Sequence, residues 1–168
     1  MRTLEKEKLP TDGWNTILGG TSSPGNRWRL VFTTGTKDVA AALRNNGAGG
    51  GGKYFPITAV QKWDASKNEI ENGIFLGHLI ALKFRGPYKF SGKKLQFDFD
   101  TIAIKLGPMF EFPLKAKINP ATYVPDPKGP FFIFVYVDEK VCVARGRGGG
   151  IAMWARTTPS EELKIGVL

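Results

Sequence analysis

From Arg27 to Arg156 the chain is written in short runs whose large apolar residues take every second position, and a run of that kind can bury one face of a strand and little else. Trp28, Leu30 and Phe32 share a face of Arg27–Thr34. Leu95, Phe97 and Phe99 alternate with Gln96, Asp98 and Asp100, which places the two acids on a solvated face. Tyr54–Trp63 and Ile70–Phe84 read as strands around the turn 64–68. In the second, Ile70, Ile74, Leu76, His78, Ile80, Leu82 and Phe84 all fall on even positions, with Gly73 and Gly77 marking bulges or a bend. Phe131–Val137, Val141–Arg145 and Ile151–Arg156 supply the last strands, after a Pro-rich surface crossing from Pro108 to Pro130.

Twenty-one Gly and 11 Pro in 168 residues interrupt long helices. Two short ones are expected: Asp38–Asn46, opened by an Asp cap and ended by Gly47, and a segment after Thr158-Pro159-Ser160-Glu161, which has the order of a capping box. Residues 1–26 read as a polar lead-in and 27–168 as a single domain of about seven or eight antiparallel strands, a barrel or sandwich.

The formal charge of +9 draws the molecule to polyanionic surfaces without choosing among them. Cys142 is the single cysteine and His78 the single histidine, which excludes an intramolecular disulfide and any multi-histidine or cysteine-rich metal site. Gly47–Lys53 has most of a phosphate-binding loop but places Tyr54 where the motif needs Ser or Thr, so a loop is the better reading. Arg145–Gly150 resembles one RNA-binding RGG unit, yet it stands alone between two strands and reads as a hairpin turn; nucleic acid is not the expected partner. His78 among Leu76, Ile80 and Leu82 reads as an interior histidine rather than a catalytic base, and Cys142 between two valines as a small buried hydrophobe. No acid–base pair stands out, and neither catalytic residues nor a cofactor are expected.

Three segments occur in order: Asn26–Thr34, a Trp followed by an apolar strand ending in Thr; Tyr54–Ile74, two strands around an Asn-containing turn; and Val135-Tyr136-Val137-Asp138-Glu139 with Val141–Gly149, which ends in Arg-Gly and further glycines. Together they resemble the plastid-lipid-associated protein family, also called plastid fibrillins or plastoglobulins, over about residues 25–156. Members usually carry a helical region before the Trp strand, where this chain has its polar lead-in. The resemblance implies a mainly β, lipocalin-like β-barrel with one or two short helices, non-enzymatic, in plastids (chloroplasts) and peripheral to the thylakoid membrane or plastoglobule. It implies the binding or organisation of lipids, prenylquinones or carotenoids in photosynthesis. The alternative is a peripheral structural subunit on a thylakoid complex such as a photosystem assembly, its barrel filled by its own side chains.

Three sets of residues follow. Barrel closure is expected from Arg145 stacked on Trp28, since lipocalin-like barrels commonly cover an early-strand Trp with a late-strand Arg. The interior ligand wall is expected from Trp28, Leu30, Phe32, Leu95, Phe97 and Phe99, with His78 as its polar contact. A docking loop is expected at Met109, Phe110 and Phe112, bracketed by Pro108 and Pro113 and flanked by Lys105, Lys115 and Lys117.

Overall fold

A computed structural model describes residues 10–19, 26–35, 53–54 and 58–167. Its strands are β1 (Asn26–Thr33), β2 (Lys53–Tyr54), β3 (Thr58–Asp64), β4 (Glu69–Leu76), β5 (Ile80–Ser91), β6 (Lys94–Phe97), β7 (Thr101–Leu106), β8 (Met109–Pro113), β9 (Phe131–Val137), β10 (Val141–Gly146) and β11 (Ile151–Arg156). Eight of them close an antiparallel barrel in the order β4-β3-β1-β11-β10-β9-β6-β5, with β5 returning to β4. The expected helix Asp38–Asn46 and loop Gly47–Gly52 lie outside the described residues.

Alternation within the strands sends one face of each inward, and in half of the barrel these faces fill the interior. Trp28, Trp63, Ile70, Tyr88, Leu95, Phe134 and Trp154 are buried there, with Trp63 edge-on to both Phe134 and Trp154. A helix drawn from the presumed lead-in, Trp14–Gly19, plugs this end by adding Trp14 and Leu18 to the core. The last carbonyls of a helix lack intrahelical donors; here Trp28 Nε1 donates to Leu18 O at 2.8 Å, and Asn26 Nδ2 and Arg156 Nη2 donate to Ile17 O at 3.0 and 2.7 Å.

β7 and β8, absent from the sequence reading, shape the opposite end together with the expected strand β6. β6 and β7 lie end to end along β5, β6 against its residues 88–91 and β7 against 80–85. At the join a Cβ on Gly86 would sit 2.2 Å from the Asp98 carbonyl oxygen, so a side chain there is sterically barred. Beyond it the partners change: β6 pairs with β9, whereas β7 turns back into β8. The wall is therefore complete at the plugged end, and at the mouth a β7–β8 flap replaces the β6–β9 contact. Asp100, expected in solvent, is buried, because it fastens the segment after the flap: its carboxylate accepts from Thr101 Oγ1 and from Ile118 N, each at 2.8 Å.

The expected strand 70–84 is the hairpin β4–β5, turned at 77–79 with Gly77 at φ 68°. The helix Pro159–Ile165 carries the anticipated capping box, Thr158 with Glu161, and lies outside the barrel, where Ile165 and Val167 cover Val60, Phe75 and Ala81. Its Glu162 pairs with Arg27 at 2.8 Å, and its terminal Gly166, at φ 79°, abuts the Gly77-His78 turn. In the Tyr136–Glu139 motif, Asp138 holds the β9–β10 turn by accepting from Tyr136 Oη and from the backbone N–H groups of Lys140 and Val141, each at 2.7 Å.

Candidate functional site

Above the packed half the barrel interior opens into a cavity of about 360 Å³. Trp154 and Phe132 lie next to the packed core, and Leu30, Ala59, Ile74, Phe84 and Ala152 contribute hydrocarbon walls from β1, β3, β4, β5 and β11. Two amides interrupt this lining, Gln61 on β3 and Asn72 on β4, which stand directly opposite each other across the ladder. Gln61 Oε1, Asn72 Oδ1 and the Trp154 indole Nε1 are all buried without a hydrogen-bond partner. Most buried polar atoms in folded proteins are paired, and these three, enclosed by protein although their residues border the cavity, are exceptions.

The apolar lining does not stop at the barrel. Directly opposed residues of antiparallel strands share a face, so Asn72, Phe84, Ile102 and Phe112 form one row and Ile74, Leu82, Ile104 and Phe110 the next. Both rows run from the cavity wall across β7 onto β8. At the mouth Leu76, Leu79, Ile80, Leu106 and Met109 add an exposed apolar rim, Leu79 being 70% exposed. Arg147 extends from the β10–β11 turn at the same end.

The expected site residues divide between these regions. Leu30 lines the cavity as anticipated. Trp28, Leu95 and Phe97 point inward but belong to the packed half, and Phe99 packs partly buried against that core, in contact with Phe97 and Phe84. Phe32 lies beyond a register shift in β1, away from the cavity lining. His78 is not interior: it sits in the exposed β4–β5 turn beneath Gly166.

The cation over Trp28 is Arg156, 4.9 Å from the ring centre, rather than Arg145. Register explains the exchange, since β11 sets Arg156 beside Trp28 and carries Arg145's partner, Ile151, at its other end. Arg145 itself donates to Gly149 O at 3.2 Å. Met109, Phe110 and Phe112 are exposed as expected, but on an edge strand rather than a loop. Of the flanking lysines, Lys105 is half-buried on β7, Lys115 pairs with Asp98, and Lys117 is exposed. Cys142 is fully buried, and burial pushes its thiol well above its ordinary value, which suits an inert core position.

The sequence reading missed Gln61, Asn72, Phe84, Phe132, Ala152 and Trp154 as cavity residues. A usable signal existed: Gln61 stands two before Trp63 and Asn72 two after Ile70, each a polar residue at an inward position. No family model, curated protein or solved structure matches the chain.

Proposed function

We propose that this protein is a non-enzymatic, plastid lipid-associated barrel, peripheral to thylakoids or plastoglobules, that binds or organises an apolar-tailed lipid, quinone or carotenoid. The observation that carries the reading is the half-open barrel. Its apolar cavity of about 360 Å³ falls within the usual size of small-molecule pockets, and its lining continues unbroken onto an exposed flap and rim. The three resembling segments, Asn26–Thr34, Tyr54–Ile74 and Val135–Gly149, support the plastid family. Contiguous exposed apolar surface beside a cavity is the usual mark of a docking face, and a net charge of +9 favours an anionic membrane. Solvent extraction of the protein purified from its native membranes, followed by mass spectrometry, is expected to release a lipid in near-stoichiometric amount. Protein that releases none refutes carriage.

A second reading, a peripheral subunit on a photosynthetic complex, is favoured by one feature: β8 is exposed on both faces and, among the described residues, pairs only with β7. Replacing Phe110 and Phe112 by Ser separates the two. Loss of binding to anionic liposomes supports the membrane, and loss confined to solubilised thylakoid complexes supports the subunit. Unchanged binding to both refutes docking through the flap.

A further inference from the structure

Three described turns stand at the mouth end of the barrel: 77–79 between β4 and β5, 107–108 between β7 and β8, and 147–150 between β10 and β11. The first two lie side by side, joined by the hydrogen bond that Gly107 N donates to Leu79 O at 2.9 Å. Leu76 stands opposite Ile80 and Ile80 opposite Leu106, so these three form the row beyond Ile74, Leu82, Ile104 and Phe110, on the same face. Here that face has left the barrel: Leu76, Leu79 and Leu106 are 61, 70 and 62% exposed, with Ile80 and Met109 exposed beside them. Charge is segregated along the barrel axis. Turns at the plugged end carry acids, Asp64 and Glu69 on either side of the β3–β4 turn and Asp138 and Glu139 between β9 and β10. The three mouth turns carry none; their cations are Arg147 and, next to the tips, Lys105.

We infer that the paired tips of β4–β5 and β7–β8 enter the hydrocarbon of an anionic bilayer, with Arg147 and Lys105 at its headgroups, so that the barrel stands mouth-down and its cavity opens into lipid rather than water. This rests on the peripheral-membrane reading above and adds which end inserts and which residues enter. Side chains that project from narrow turns are surrounded by lipid tails without a preformed pocket, whereas a protein partner must supply one. Basic residues on and beside turns free of acids gain from the negative potential of an anionic surface, a gain that acids on those turns would oppose. The inward rows then link the bilayer to the cavity, and an apolar ligand passes between the two without crossing water.

The test uses the full chain with vesicles of phosphatidylcholine, either pure or with about one-third phosphatidylglycerol. Cosedimentation is expected to show about tenfold tighter binding to the anionic vesicles. Leu79→Ser combined with Leu106→Ser is expected to weaken that binding about tenfold or more. Both leucines are exposed and the bond that joins the two tips is made by backbone, so the double variant is expected to melt with the parent. Insertion is read separately from a nitrobenzoxadiazole label on Leu79→Cys, with Lys140→Cys at the plugged end as the control; the buried Cys142 stays unlabelled. Anionic vesicles are expected to shift the emission of the label at position 79 to the blue and to leave that at position 140 unchanged. Equal binding to both vesicles, undiminished binding by the double variant, or no shift at position 79 overturns the proposal and leaves membrane association standing. Undiminished vesicle binding by a double variant that instead dissolves a parent dimer assigns the tips to a second copy. A parent that binds neither vesicle overturns the peripheral-membrane reading as well.

Discussion

Replacing Arg156 by Ala strips the plugged end of the barrel of three contacts at once. The guanidinium stands 4.9 Å from the Trp28 ring centre, a stack worth about 0.5–2 kcal/mol. Its hydrogen bond to Ile17 O, at 2.7 Å, has a charged donor and contributes about 1.5–3 kcal/mol. The third contact, with Glu139, involves a carboxylate that is 69% exposed, and pairs of that kind contribute about 0–1 kcal/mol. Because the first two share one side chain and are not additive, the expected loss is about 3 kcal/mol. For a chain of this length that lowers the melting temperature by about 6–12 °C. Urea unfolding followed by circular dichroism measures the loss, and hydrogen exchange is expected to rise first at residues 14–19, whose carbonyls lose their anchor. Glu139→Gln should change stability by less than about 0.5 kcal/mol. An Arg156→Ala protein as stable as the parent, or an Arg145→Ala protein that loses as much, refutes the reasoning.

Gly86→Ala is expected to cost about 1–3 kcal/mol, towards the upper end, because the new methyl meets the Asp98 carbonyl at 2.2 Å and that backbone cannot yield. Gly73→Ala, where the obstacle is the edge of the Phe75 ring, should cost clearly less in the same melts, and the reverse order contradicts the account of the β6–β7 join. Burial alone would raise the Glu71 carboxyl, but Lys83 and Arg85 hold it below its ordinary 4.5. The unfolded state thus binds its proton first on acidification, so the stabilisation is complete above about pH 4.5 and is lost as pH falls through the lower folded value. Glu71→Gln should flatten the decline of urea midpoints between neutral and acid pH, and an unchanged slope counts against this pairing.

Strands with a clean alternation and a polar turn at each end, β1, β9, β10 and β11, were legible in the sequence to within a residue or two, and so was the capping box at Thr158. The β4–β5 hairpin was hidden by its own geometry. Leu76 pairs with Ile80, and opposed residues share a face, so the even-numbered pattern runs through the turn without a break. The helix at Trp14–Gly19 has only Trp14 and Leu18 as buried large side chains, too little for a helical period to stand out. β8 begins just after Pro108 and ends on Pro113, which argued against a strand, but an edge strand tolerates proline at its limits. Arg145 and Arg156 both follow strands that could aim them at Trp28, and the choice between them depends on register, which one chain's pattern does not encode. The cavity was legible as a face but not as a volume: whether inward residues meet in the middle depends on the β6–β7 join, a long-range feature with no local signature.

Among the described residues the outer margin of β8 is unpaired, and this has a consequence for the protein in concentrated solution. Its five residues, Met-Phe-Glu-Phe-Pro, present apolar side chains and an open ladder of amides, the arrangement by which sheets of separate molecules stack edge to edge. Three features keep that stacking in check. The strand is short, Pro113 has no N–H to offer a neighbour, and Glu111, tied to Arg85 of its own molecule, sets a charge in the middle of the run. Colloidal behaviour thus depends on very few positions: neutralising Glu111 while lengthening the strand past Pro113 would turn a recognition edge into a template for polymer growth.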